Sequence, residues 1–416
     1  MKFRPYANYK DSGVRWLGDV PSDWELQRIR RIFEIKKRIA GKLGFDVLSV
    51  TQDGFRVKDT ESNEGQLSQD YSKYQIVLPG DFAMNPMDLL SGGADVAKSI
   101  GVTSPDYRVF SLRKPSKYDE RFFLYLFRHL YRNKLFFPFG QGSSQLGRWR
   151  LPRKEFNDFV FPVPDKTDQT RIADFLDAET AKIDELIAKQ ERLIELSQEK
   201  RQALISHAVV QGLKPDAPMK YSGISWLGEV PVNWRVQRLR YLCSITTGNK
   251  NTEDASDDGK YPFFVRSQEI ERSNNYSFDG EGILTAGDGA GVAKVFHYFT
   301  GKFAIHQRVY LLHAFKGIQG NFLFHYIKAN LYKVVLEGNA KSTVDSLRLP
   351  MFKDFVVAYP PSDAEQTRII EHIAEESRKI DLLIEKARRA IEFLKEHRTV
   401  LVSAAVTGKI DVLGAE

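Results

Sequence analysis

Isoleucine recurs along two stretches of this chain with a period that identifies the element. Ile172, Ile183, Ile194 and Ile205 are spaced by 11 residues, and Ile369, Ile380, Ile391 and Val402 repeat that spacing. Eleven residues make three helical turns at about 3.67 residues per turn, so each set forms one stripe on a helix. Leu176, Leu186, Ile187 and Leu193 widen the first stripe, and Ile373, Leu383 and Ile384 widen the second. The pattern predicts a first helix running at least from Asp168 to His207, 40 residues and about 60 Å at 1.5 Å per residue. Asp165 stands at its N-cap position, Ser362 with Glu365 has the spacing of a capping box before the second, and Gly212 and Pro215 can stop the first. A rod of about 60 Å exceeds the width of a ~140-residue domain, so its stripe needs a partner. The simplest partner is its own copy, in an antiparallel coiled coil. The residues expected at that helix-pair and partner interface are Ile172, Leu176, Ile183, Ile187, Ile194, Ile205, Ile369, Ile373, Ile380, Ile384, Ile391 and Val402. The alternative is that each helix packs on its own globular domain.

Ahead of each helix the pattern shortens. Residues 45–163 and 241–360 mix short β-like runs with turn signals, among them Val47–Val50, Tyr74–Leu78, Phe303–Ile305 and Arg308–Leu312. A helix-like segment follows late in each, Arg121–Leu130 and Asn321–Lys328. Each then leads through a polar, Gly-containing loop to a last strand. The shared order predicts two copies of one α+β fold.

An internal repeat supports this division. Ser12-Gly13 followed by Trp16-Leu17-Gly18-Asp19-Val20-Pro21 and Trp24 returns as Ser222-Gly223 with Trp226-Leu227-Gly228-Glu229-Val230-Pro231 and Trp234, at a constant offset of 210. Asp168-Gln169-Thr170-Arg171-Ile172 returns as Glu365-Gln366-Thr367-Arg368-Ile369 at an offset of 197, and Lys182-Ile183-Asp184 as Lys379-Ile380-Asp381. The framework is duplicated, whereas the inserts differ by 210 − 197 = 13 residues in length and share little sequence. The expected organisation is an N-terminal globular domain over 1–164, a first long helix over 165–213, a second globular domain over 214–361, and a second long helix with tail over 362–416.

Composition narrows the class. Hydrophobic residues at 42% and charged residues at 28% suit a globular chain. No apolar run of about 18 residues is present and the start lacks a signal-peptide core, so no membrane contact and a cytoplasmic location are expected. The single cysteine, Cys243, excludes an intrachain disulfide and fits a reducing compartment. The net charge is +7 over the whole chain. Residues 165–213 hold 7 Lys+Arg against 10 Asp+Glu, and residues 362–410 hold 9 against 9, which leaves +7 − (−3) − 0 = +10 on the rest. The basic excess therefore sits in the globular segments, where a nucleic-acid surface would lie.

No catalytic or metal-binding constellation stands out. His-Glu-x-x-His, clustered Cys/His sets and a Gly-x-x-x-x-Gly-Lys loop are all missing. Gly287-Asp288-Gly289-Ala290-Gly291 lacks dinucleotide spacing and reads as a turn. Asn85-Pro86-Met87 faintly resembles an amino-methyltransferase site, but without its second proline and aromatic residue it also reads as a turn. Polar and basic loop residues suit DNA instead. Reading base edges needs Arg, Lys, Asn, Gln or Ser at groove depth, and holding phosphates needs Lys or Arg. The candidates are Gln141, Ser143, Ser144, Gln145, Arg148 and Arg150 in the first insert, and Asn249, Lys250, Arg266, Gln268, Lys341, Ser342 and Arg348 in the second.

The Ser-Gly-x-x-Trp-Leu-Gly-Asp/Glu-Val-Pro-x-x-Trp segments, the two Gln-Thr-Arg-Ile helix starts and the closing Ala405-Val406-Thr407-Gly408-Lys409-Ile410-Asp411 stretch resemble the specificity subunits of type I restriction-modification systems. That resemblance implies a subunit without catalysis of its own, whose two variable domains each read one half of a split, asymmetric sequence in double-stranded DNA. It implies a helix pair that acts as a ruler and docks two methyltransferase subunits, with translocating endonuclease subunits joining for cleavage. S-adenosylmethionine, ATP and Mg are then expected only on those partners. A coiled-coil adaptor without DNA binding is the competing reading, and a self-sufficient DNA-modifying enzyme a third.

Overall fold

The two amphipathic stretches form single helices, Lys166–Gln211 (46 residues) and Asp363–Val406 (44 residues). Both run past the bounds drawn from the isoleucine stripe. The Asp165 carboxylate accepts the Asp168 backbone N–H at 2.8 Å and starts the first helix. Gly212 and Gly408 follow the last turns with φ of +77° and +70°, the left-handed conformation that ends helices and favours glycine. Glu365 has a tertiary partner, since its carboxylate accepts the Trp234 indole N–H at 3.1 Å.

The computed structural model describes residues 4–52, 54–58, 70–142, 149–338 and 346–412. The chain divides into two compact units, one of residues 1–189 with 389–416, the other of residues 190–388. Each unit thus takes one half of each long helix.

In the first unit an antiparallel sheet has the order Phe33–Lys36, Arg108–Leu112, Phe82–Met84, Ala94–Val96. The helix Glu120–Arg132 buries Phe122, Phe123, Leu126, Phe127 and Leu130. Phe33 meets Phe82, Phe110 and Phe123 edge-on, with ring centroids 5.1 to 5.3 Å apart. Ile172, Leu176 and Ile183 enter this core from the start of the first long helix, and Leu401, Val402, Ala405 and Val406 from the end of the second. An Asp184–Arg398 ion pair at 2.9 Å joins the same two helix segments, which run antiparallel.

The second unit has a larger, six-stranded sheet in the order Ser244–Thr247, Val309–His313, Phe278–Ala286, Phe296–Ile305, Tyr261–Phe264, Glu271–Ser273. Only Tyr261–Phe264 runs parallel to its neighbour Phe296–Ile305. The helix Gly320–Gly338 contributes Phe322, Leu323, Tyr326 and Ile327 to a core that also takes Ala208 and Val209 from the first long helix and Ile369 and Ile373 from the second. Arg201 pairs with Asp381 across these helix segments.

Both expectations for the helices therefore hold, in different stretches. The first turns of each helix pack on a globular core, and further along each faces the other helix within the same unit. Ile380, Ile384 and Ile391 are buried, Ile187, Ile194 and Ile205 are half-buried, and Val402 is buried in the first core. Leu186 and Leu383, assigned above to the stripes, are 45% and 41% exposed instead. They sit one position from the buried line, where the helix surface already turns to solvent. Both units close alike, the strand Val160–Val163 pairing with Glu25–Arg28 and Val356–Tyr359 with Arg235–Arg238. Two units of one α+β plan result.

Candidate nucleic-acid interface

In the second unit the Gly-rich segment is a tight 3-10 turn, Gly289–Gly291, following the central strand Phe278–Ala286. Its glycines allow close backbone approach. The Gly287 N–H donates to Arg308 O at 2.9 Å, and a Cβ on Gly291 would lie 2.6 Å from Arg266 O. The loop thereby carries Asp288 between two arginines. Arg266 Nη1 lies 2.8 Å from Asp288 Oδ1, and Arg308 Nη1 lies 3.2 Å from Asp288 Oδ2. Residue-type reasoning singled out Arg266 but missed Asp288 and Arg308. The one signal for Asp288 was an acidic residue inside a glycine run.

A cleft of about 410 Å³ beside this cluster is lined by Thr252, Arg266, Glu271, Asp288 and His306 among others. Glu271 Oε2 is buried without a hydrogen-bond partner among the described residues. Burial lowers the His306 imidazole below its ordinary range, and Arg266 and Arg308 add to the effect. His306 Nδ1 accepts the Arg308 backbone N–H at 3.1 Å, which places the ring proton on Nε2.

The other candidates of this unit surround the cluster without joining one network. Asn249 is exposed, and Lys250 pairs with Asp254 at 3.2 Å while its backbone bridges to His306. Gln268 donates to Lys294 O at 2.8 Å. Arg348 is exposed and follows Leu347, whose N–H donates to Gly287 O at 2.9 Å. Lys341 and Ser342 lie outside the described residues.

In the first unit Gln141 and Arg150 form an antiparallel bridge with reciprocal backbone bonds of 2.8 and 2.9 Å, and both side chains are exposed. Ser143, Ser144, Gln145 and Arg148, between them, lie outside the described residues. Asn85-Pro86-Met87 is the turn expected. Asn85 Oδ1 accepts the Met87 N–H at 3.0 Å, and Leu151 N–H donates to Pro86 O at 2.8 Å. Arg108 stacks 4.6 Å from the Phe156 ring centroid and donates to Leu151 O at 3.0 Å. Burial pulls its guanidinium down to about 10, Tyr131 opposing and Arg150 and Arg153 adding to the effect.

The repeated Gln-Thr-Arg-Ile motif has a structural role that spacing alone did not reveal. Gln169 Oε1 accepts the Asp119 N–H at 2.9 Å and its Nε2 donates to Pro164 O at 2.8 Å. Gln366 does the same in the second unit, accepting from Gln319 N–H at 2.7 Å and donating to Pro360 O at 3.0 Å. Each buried glutamine thus ties the start of a long helix to the start of the domain helix. The repeated tryptophans are also framework. Trp24 and Trp234 are buried, and Trp16 and Trp226 stack on Phe159 and Phe355.

Among the described residues, no helix is long and apolar enough to cross a membrane.

A family model described as the type I restriction modification DNA specificity domain matches residues 231–392. The EcoDI type I restriction enzyme specificity subunit of Escherichia coli is 30% identical over 183 residues, 44% of this chain and 40% of that protein. The match thus spans less than half the length of that relative. The MjaVIII specificity subunit of Methanocaldococcus jannaschii is 23% identical over 456 aligned positions, covering 99% of this chain and 98% of that one. Among solved structures, a chain from a study of assembly and conformational transition of a type I R-M system aligns with a TM-score of 0.67 at 14% identity, covering 93% of this chain and 98% of that chain. The HsdS subunit of Thermoanaerobacter tengcongensis aligns at 0.52 and 12%, over 94% and 98%. At such identities the structural likeness concerns the fold.

Proposed function

We propose that this chain, similar to specificity subunits of type I restriction-modification systems along its length, is the DNA-reading subunit of such a complex. Each α+β unit reads one half of a bipartite, asymmetric sequence in double-stranded DNA. The helix pair sets the spacing between the halves and docks two methyltransferase subunits, with endonuclease subunits joining for cleavage. S-adenosylmethionine, ATP and Mg then belong to those partners, and this chain supplies recognition without catalysis.

The observation that carries the reading is one scaffold with different side chains. Leu151 N–H to Pro86 O in the first unit and Leu347 N–H to Gly287 O in the second are equivalent bonds beneath the same short helix. Around them stand Arg108 over Phe156 in one unit and Tyr310 beside Phe352 in the other. The Asp288 cluster has Met87 at its counterpart. Readers that share a frame but differ in chemistry favour two unlike half-sites. Helices of 46 and 44 residues, about 69 and 66 Å long at 1.5 Å per residue, suit a stiff spacer.

Band-shift titration of the complex with its methyltransferase subunits tests this. Adding one base pair to the spacer of its target is expected to weaken binding at least tenfold. Removing one 11-residue unit from both helices is expected to move the spacer optimum. Affinity indifferent to spacer, DNA sequence and salt would instead favour a protein adaptor.

A further inference from the structure

We propose that Arg266 reads a guanine in the half-site of the second unit, and that Asp288 is the positioning residue that aims it. The inference rests on the DNA-reading function above and adds a base and a residue to it.

Asp288 binds each arginine through Nη1 only. Among the described residues, Nε and Nη2 of Arg266 have no hydrogen-bond partner. These two donors form the side-on edge of the guanidinium, and their parallel N–H bonds match the O6 and N7 acceptors that guanine presents in the major groove. A long, solvated arginine loses rotamer freedom on binding. Holding Nη1 on a carboxylate beforehand reduces that loss and fixes the plane of the fork.

Arg308 fixes the carboxylate in turn by occupying its other oxygen. Of the two arginines, Arg266 is the nearer to Asp288, lines the cleft and is the less exposed, with 42% of its side chain open to solvent against 55% for Arg308. The Arg–Asp–Arg cluster keeps a net positive charge, so it also suits the potential of DNA. The glycines explain themselves in this scheme. Gly289 has φ +74°, and a side chain at Gly291 would collide with the Arg266 carbonyl, so the run lets the loop lie against both arginine-bearing segments.

The test uses the complex of this chain with its methyltransferase subunits. Mapping methylated adenines in cells carrying it supplies the target. Duplexes are then made with each target guanine replaced in turn by 7-deazaguanine, which lacks the N7 acceptor. For the wild type, one such replacement is expected to weaken binding about tenfold or more. Arg266→Lys keeps the charge and loses the fork, and it is expected to bind the natural and the 7-deaza duplex alike while retaining discrimination elsewhere. Asp288→Asn is expected to lose part of the preference at that same guanine, yet bind a scrambled duplex more tightly with a steeper salt dependence, because a negative charge has gone. A merely structural role for Asp288 would weaken discrimination at every position of the half-site rather than at that guanine alone. Unchanged melting temperatures establish that both variants fold.

The assignment is overturned by a target without guanine, by an Arg266→Lys variant that keeps its preference at every guanine, or by one that weakens equally on target and scrambled DNA. A wild-type complex unable to distinguish target from scrambled DNA would sink the recognition function itself, a result separate from those three.

Discussion

Gln366 Oε1 accepts the backbone N–H of Gln319 at 2.7 Å, so a long-helix residue completes the N-terminus of a helix 47 positions earlier in the chain. Gln169 and Asp119 make the same bond in the first unit at 2.9 Å. The repeated motif thereby becomes a fastening between helix and domain.

Gln169→Ala orphans a buried N–H and a buried carbonyl, and Gln366→Ala a part-buried N–H and a buried carbonyl. At ~1–3 kcal/mol per unsatisfied group, a loss of about 2–4 kcal/mol is expected for each. Urea unfolding checks this, and a loss below about 0.5 kcal/mol would contradict the fastening.

Gly408 follows the second helix with φ +70°, and a Cβ there would lie 2.4 Å from Pro21 Cδ. At Gly212 the nearest atom, Trp234 Cζ2, would be 3.3 Å away. Gly408→Ala combines backbone strain with overlap, so it is expected to destabilise by about 2–4 kcal/mol and Gly212→Ala by about 1–2. Paired thermal melts would show whether that order holds.

Burial lowers the His129 imidazole to about 4, and its Nδ1 lies 3.0 Å from the Asn133 amide. The folded chain therefore binds fewer protons here than the unfolded chain, whose histidine titrates near 6.5. Stability from this group is full above pH ~6.5 and falls as the pH drops toward 4, by an order of 1–3 kcal/mol. His325 of the other unit, also lowered to about 4 by burial and by Lys328, acts with the same sign. Denaturant midpoints from pH 8 to 4.5 measure the slope, and His129→Gln is expected to flatten it.

Cys243 is buried, and its thiol is raised from 9.0 to about 12 by that burial. At neutral pH its thiolate fraction drops by about three orders of magnitude. An aromatic disulfide reagent is expected to label it only upon unfolding, and rapid labelling of the native chain would argue against the packing around Leu239 and Leu242.

Much of the fold was legible because its signals are local. A period of 11 residues fixes a helical stripe through backbone geometry alone, and a gapless offset of 210 reveals a duplicated frame. The site was legible only by residue type. Arg266 stood out as a basic loop residue, and Gly287–Gly291 reads as a turn and is one, yet the turn also delivers Asp288. Leu186 and Leu383 were misplaced because a stripe has edges that periodicity does not locate.

By itself the sequence determined the two long helices, the repeated framework and the order of elements, since helix periodicity, caps and repeat spacing act within a few turns. Tertiary structure decided which halves of the helices share a core and that Asp288 meets both Arg266, 22 residues before it, and Arg308, 20 residues after it. Those pairings depend on strand register and loop approach between distant segments, and no local pattern of residues encodes them.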